Sequence, residues 1–216
     1  MLSFTKLIIA SERDRDDSSL WMLPYSTLML ILLIFFAILF VDSYKQSIDY
    51  EMAIAELDDT NEGLKKEIIL AKNMQKYIND NNMNDIAEIK VSARFIKLDL
   101  KSPALFESGL ADLKPGILPL FRELADNLKN VDNTVVVEGH TDNIPIHNRF
   151  FDSNWELSSA RAFSVLYFLI NKEIDPERLI AHGFGEFRPI FSNDTADNRA
   201  RNRRIEITII RKGREA

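Results

Sequence analysis

From Leu20 to Val41 the chain runs for 22 residues (LWMLPYSTLMLILLIFFAILFV) without a charged side chain, and charges return on both sides. At 1.5 Å per residue that run extends roughly 33 Å, enough for a hydrocarbon core of about 30 Å. The pattern therefore predicts a transmembrane helix over 20–41. A helix buried in a globular domain is the alternative. A cleaved signal peptide fits less well: the run is longer than a usual apolar h-region, and Phe40-Val41-Asp42-Ser43 offers no small-x-small cleavage site. Trp21 and Tyr25 suit an interfacial belt, and Pro24 falls in the first turn, where a missing N–H matters least.

After the span, residues 44–78 read as helix. A heptad places Tyr50, Leu57, Leu64, Ala71 and Ile78 at a and Ile54, Asn61, Ile68 and Gln75 at d. The polar d positions and Gly63 make this a weak coiled coil at best. A single amphipathic helix lying on its own domain or on a partner is the competing reading. Asn79-Asp80-Asn81-Asn82 breaks the pattern and marks a domain boundary.

Beyond Ile86, strand-like stretches (88–100, 134–140, 179–183, 204–210) alternate with helix-like ones (117–130, 155–171). Ile117, Phe121, Leu124 and Leu128 share one helical face, and Ser153 with Glu156 forms a plausible capping box for the second helix. The expected class is α+β, a two-layer α/β sandwich with helices packed on a small mixed sheet. The expected organisation is a cytoplasmic leader over 1–19, the membrane helix over 20–41, a helical linker over 42–85 and the globular domain over 86–216.

Composition narrows the chemistry. The chain has 216 residues, a net charge of −6 and no cysteine, which excludes disulfides, thiolate metal sites and a cysteine nucleophile. The acidic balance argues against nucleic acid as a partner, despite the basic tail from Arg199 to Arg214. His140, His147 and His182 lack HExxH spacing or an evident carboxylate pattern, so no metal is expected. Ser158, Ser159 and Ser164 have no nucleophile-elbow context, and there is no glycine-rich phosphate loop. The chain reads as a binder without cofactor, not an enzyme.

Four motifs in order, VVVEGHTDNIPI, SNWELSSARAFSVLYFLI, IDPERLIAHGFGEFRPIFSNDT and NRARNRRIEITI, resemble the OmpA-like peptidoglycan-binding family, and within it the motility protein B group. Leu105-Phe106-x-Ser108-Gly109 with Leu113-Lys114-Pro115 extends the resemblance upstream. It implies an OmpA-like fold, a homodimer and a ligand, the diaminopimelate-containing stem peptide of the cell wall. The free end of that diacid bears an ammonium and a carboxylate on one carbon. By resemblance Asp142 takes the ammonium and Arg161 the carboxylate, with Asn154 and Thr141 also approaching the peptide. The planar fork of arginine suits a carboxylate because it can hold both oxygens. The plainer alternative is that Asp142 caps a turn and pairs with Arg161 to close the fold. Arg203 and Arg204 are expected to open the last strand and form structural ion pairs.

The membrane run resembles the same group's Trp-x-x-x-Tyr-x-Asp signature. Trp21 and Tyr25 keep their places, but Thr27 stands where the resemblance places an ion-binding aspartate. A threonine hydroxyl does not titrate at biological pH, and Asp42 lies 15 residues further on, roughly 22 Å along a helix. The resemblance thus implies an inner-membrane, single-pass protein with a periplasmic C-terminal domain and a non-conducting scaffold role at a flagellar motor, beside a membrane partner of the stator type. A general envelope or secretion-system tether, or a conducting subunit whose titrating group comes from a partner, remain alternatives.

Overall fold

The computed structural model describes residues 22–45 and 62–212. The leader 1–19, Trp21 and the heptad positions Tyr50, Ile54, Leu57 and Asn61 lie outside the described residues. The chain divides into two compact units, Met1–Ser47 and Ile48–Ala216.

In the first unit, α1 (Met22–Lys45) contains an 18-residue apolar stretch, Met22–Leu39, long enough to cross a membrane. Every side chain described in it is exposed. The hydroxyls of Ser26 and Thr27 donate to the carbonyls of Leu23 and Pro24, each at 2.9 Å. Bonding back to the helix lets these polar groups sit in an apolar run without outside partners.

The second unit is a five-stranded mixed sheet in the order β1-β2-β5-β3-β4, formed by β1 (Ala87–Val91), β2 (Phe95–Lys101), β3 (Thr134–His140), β4 (Leu179–Gly183) and β5 (Arg204–Ile210). All neighbours are antiparallel except β3 and β4, which the crossover helix between them makes parallel. Alternation along the strands sends Leu98, Val135, Val137, Ile205, Ile207 and Ile209 into one core with Phe121 and Leu124 of α4 (Leu118–Leu128) and Val165 and Leu169 of α5 (Asn154–Ile170). The opposite positions, among them Lys97, Glu138, His140, Arg204 and Glu206, carry the polar face.

Three expectations change. The stretch 88–100 is not one strand but a hairpin, β1 and β2, turned at Ser92, whose N–H donates to the Phe95 carbonyl at 2.9 Å while its hydroxyl accepts from the Phe95 N–H at 3.2 Å. A serine side chain closes this turn in place of glycine or asparagine. The second change is at the expected boundary near residue 80. Helix α2 (Glu62–Asp80), placed in the linker, buries Leu70, Ala71, Met74 and Ile78 in the core of the domain. Its Glu67, 3% exposed, accepts from Arg211 Nε at 2.9 Å, Asn133 Nδ2 at 2.6 Å and the Lys212 N–H at 3.2 Å. Over this part the amphipathic helix lies on its own domain. The expected capping box of α5 also opens: Ser153 accepts from the Glu156 N–H at 3.3 Å, but Glu156 reaches past it to the Asp152 N–H at 2.7 Å.

A charged cleft as candidate functional site

A cleft of about 520 Å³ opens where β3 ends, against the first turns of α5 and the loop that follows α3 (Ser102–Leu105). Its lining includes all four globular-domain residues singled out above: Thr141, Asp142, Asn154 and Arg161. Strand β3 delivers Thr141 and Asp142 just past its last residue. Helix α5 comes close because Gly139 lets it: a Cβ there would sit 2.1 Å from the Ser158 carbonyl oxygen. Gly183 on β4 makes the same approach to Ser159. Arg161, three residues beyond Ser158, is thereby brought over the strand end.

Asp142 is 5% exposed, and both of its oxygens are engaged. Oδ1 accepts from the Ile144 N–H at 3.1 Å, and Oδ2 from Arg203 Nη1 at 2.5 Å. It does cap a turn, then, but its ion-pair partner is Arg203. Arg203 enters the cleft rather than serving only the last strand, while Arg204, the next residue, turns to the polar face and pairs with Glu206.

Arg161 is equally buried, yet forms no ion pair among the described residues. Nε donates to the Leu110 carbonyl at 2.9 Å and Nη2 to the Glu107 carbonyl at 3.3 Å, with the guanidinium 5.0 Å from the centre of the Phe106 ring. Burial pushes its pKa down to about 10, and the neighbouring Arg203 charge adds to this while Asp142 opposes it. The group stays charged at neutral pH. A buried cation held only by carbonyls and a ring is a strong demand for an anion.

Asn154 and Thr141 spend their hydrogens inside the protein. Asn154 Nδ2 donates to the carbonyls of Asp142 and Ile144 and to Glu186 Oε2, at 3.3, 3.0 and 2.9 Å. The Thr141 hydroxyl donates to the Asp142 carbonyl at 2.9 Å. Both fix the turn that carries Asp142. Phe106, Ile144, Pro145 and Leu157 supply an apolar wall, and Lys114 pairs with Glu107 at the rim at 3.2 Å.

On the polar face of the sheet, His140 has carboxylate neighbours that its sequence spacing did not reveal. Donor atoms of Glu138, His140 and Glu206 lie within 4.8 Å of one another. Lys97 and Arg204 each bond Glu206 at 2.6 Å, and Arg188 stands 4.0 Å from Glu138. Burial raises the Glu206 carboxyl, but those hydrogen bonds and charges outweigh it and hold the pKa at about 2. Burial, then the Arg204 charge, holds His140 at about 4. Three cations already balance the two carboxylates, which leaves a divalent metal nothing to neutralise.

A mixed sheet packed against helices, with an aspartate and a buried arginine lining one cleft at the end of its third strand, defines a small α/β domain in a chain that also carries a membrane-length helix. The chain belongs to the OmpA family, whose model matches residues 105–203, and it is similar to motility protein B. It is 36% identical over 142 residues to motility protein B of Bacillus subtilis, covering 65% of this chain and 54% of that protein. It is 30% identical over 221 residues to the uncharacterized protein YtxE of the same organism, covering 92% of this chain and 91% of that one. Among solved structures, the cell wall anchor of the T6SS from Pseudomonas aeruginosa superposes with a TM-score of 0.60 at 32% identity, over 64% of this chain and 97% of that one. The chain thus spans about half the length of the motility protein B it matches.

Proposed function

We propose that this chain is a membrane-anchored, non-enzymatic binder of peptidoglycan, in which Asp142 receives the ammonium and Arg161 the carboxylate of a stem-peptide diaminopimelate. The observation that carries the reading is the buried, acid-free guanidinium of Arg161 opening on the same cleft as Asp142. A zwitterionic amino-acid end is the ligand chemistry that answers both charges. Thr141 and Asn154 act by holding the turn, and the apolar wall accompanies the methylene chain. The likeness to the T6SS cell wall anchor and to motility protein B supports attachment to the cell wall.

The test is a peptidoglycan pulldown of residues 62–216 with Arg161→Ala and Asp142→Asn beside it. Losing one member of a desolvated charged contact costs about 2–5 kcal/mol, so retention should fall at least tenfold in each. Undiminished retention of both folded variants would overturn the assignment.

In the membrane, Thr27 supports a non-conducting role: its hydroxyl is committed to the Pro24 carbonyl, and no acidic side chain occurs in the sequence between residues 20 and 41. An intramembrane acid is costly and kept chiefly for function. A single-pass orientation with the domain outside the inner membrane, a homodimer and a scaffold or anchor role beside a motor stator partner complete this reading. Co-expressed with a four-helix partner, the unaltered chain should conduct no ions above background; measurable flux would defeat the non-conducting role. The likeness to a T6SS anchor favours a second reading, a wall tether of a secretion apparatus. Localisation separates the two, since foci at flagellar bases fit only the first.

A further inference from the structure

Three formal charges stand inside the cleft: Arg161, Asp142 and Arg203. Asp142 and Arg203 cancel as an ion pair, so Arg161 leaves the interior with one positive charge in excess. Lys114 and Glu107 cancel at the rim, and Glu186, which holds Asn154, does not line the cleft. A zwitterionic ligand end does not remove the excess. Its carboxylate neutralises Arg161, but its ammonium then enters the field of Asp142, whose Oδ2 already carries Arg203. Two cations would crowd one carboxylate, and like charges that close are costly in a desolvated cleft. Arg203 is the member able to respond, because its side chain is 34% exposed while that of Asp142 is 8% exposed.

We infer that Arg203 receives a second carboxylate of the ligand, so that the cleft selects stem-peptide ends whose terminal diamino acid has both carboxylates free. That diamino acid then carries one net negative charge and the cleft closes neutral. An end in which the second carboxylate is tied up in a further peptide bond or an amide leaves Arg203 facing the ammonium unanswered. This inference rests on the zwitterion reading above and adds to it a specificity-determining residue, Arg203.

Three synthetic probes separate the two. All are L-Ala-D-Glu-diaminopimelate tripeptides, titrated calorimetrically into the full chain in detergent. The first has both diaminopimelate carboxylates free. The second is amidated on the carbon whose amine is acylated, and the third on the carbon that bears the free ammonium. The full chain should bind the first probe about tenfold more tightly than the second, and the third most weakly. Arg203→Gln should bring the first two to equal affinity while still discriminating against the third. If the Gln variant binds none of them, Arg203→Lys, which keeps the charge but loses the fork, should narrow the ratio. Equal affinity of the first two probes for the unaltered chain, or a ratio untouched in both variants, overturns the inference and leaves the zwitterion reading standing. A third probe that binds as well as the first sinks both.

Discussion

A fragment beginning at residue 86 should fail to fold cooperatively, whereas one beginning at residue 62 should keep the native transition. The difference is α2. Leu70, Met74 and Ile78 are 2%, 1% and 0% exposed, packed in the same core as the strands. Full burial of such side chains contributes about 1.5–3 kcal/mol each. Together they match a large share of the roughly 5–15 kcal/mol that separates folded from unfolded domains. Truncation also bares the apolar surface that α2 covers on the sheet and on α4, an invitation to aggregate. Glu67→Ala separates the polar contribution from the apolar one. It leaves the helix in place but removes the acceptor shared by Arg211, Asn133 and the Lys212 N–H. Breaking a buried ion pair costs about 3–5 kcal/mol, so this variant should be folded but weakened. Urea unfolding followed by circular dichroism reads all three; a native-like midpoint for the shorter fragment would refute the role given to α2.

That result also marks how far the sequence reaches. The charge-free run over 20–41 announces a membrane-length helix because nothing competes with it over that length. Strands β3, β4 and β5 fall on the expected residues, since each is a short apolar-rich run bounded by turn residues or charges. The hairpin within 88–100 was hidden because its turn, Ser92-Ala93-Arg94, has no glycine, proline, asparagine or aspartate and only a single serine to mark it. The docking of α2 was hidden for a longer-range reason. Glu67 sits on the buried face, and its partners, the amide of Asn133 and the cation of Arg211, lie 66 and 144 residues away.

The site divides in the same way. Asp142, Arg161, Asn154 and Thr141 were identified through motifs, and all line one cleft. Arg203 was grouped with Arg204 as a strand-opening pair. Period-two alternation would have parted them, because adjacent residues at a strand start face opposite sides. The Glu138–His140–Glu206 group needed the register in addition: Glu138 and His140 are two apart on β3, but only the pairing of β3 with β5 sets Glu206 opposite Glu138.

The second large effect is expected at Gly139, whose φ lies outside the left-handed region and whose importance is purely one of space. A methyl group added there would stand 2.1 Å from the Ser158 carbonyl oxygen and 2.8 Å from its carbon, both backbone atoms of α5. No side-chain rotation relieves a backbone contact, so Gly139→Ala must push α5 off β3. Overpacking of this kind costs about 1–3 kcal/mol, and here the displacement has a second consequence. Asp142 follows Gly139 by three residues on the strand side, and Arg161 follows Ser158 by three on the helix side. The two halves of the cleft are thus hinged at the contact that the methyl group would open. Wall retention should therefore fall well beyond what the loss of stability explains, with the variant still folded at low temperature. Gly116→Ala is the control, since nothing lies within 4 Å of its added Cβ, and it should leave both stability and retention unchanged. If Gly139→Ala unfolds at the parental midpoint, the close approach of strand and helix does not set the geometry of the cleft.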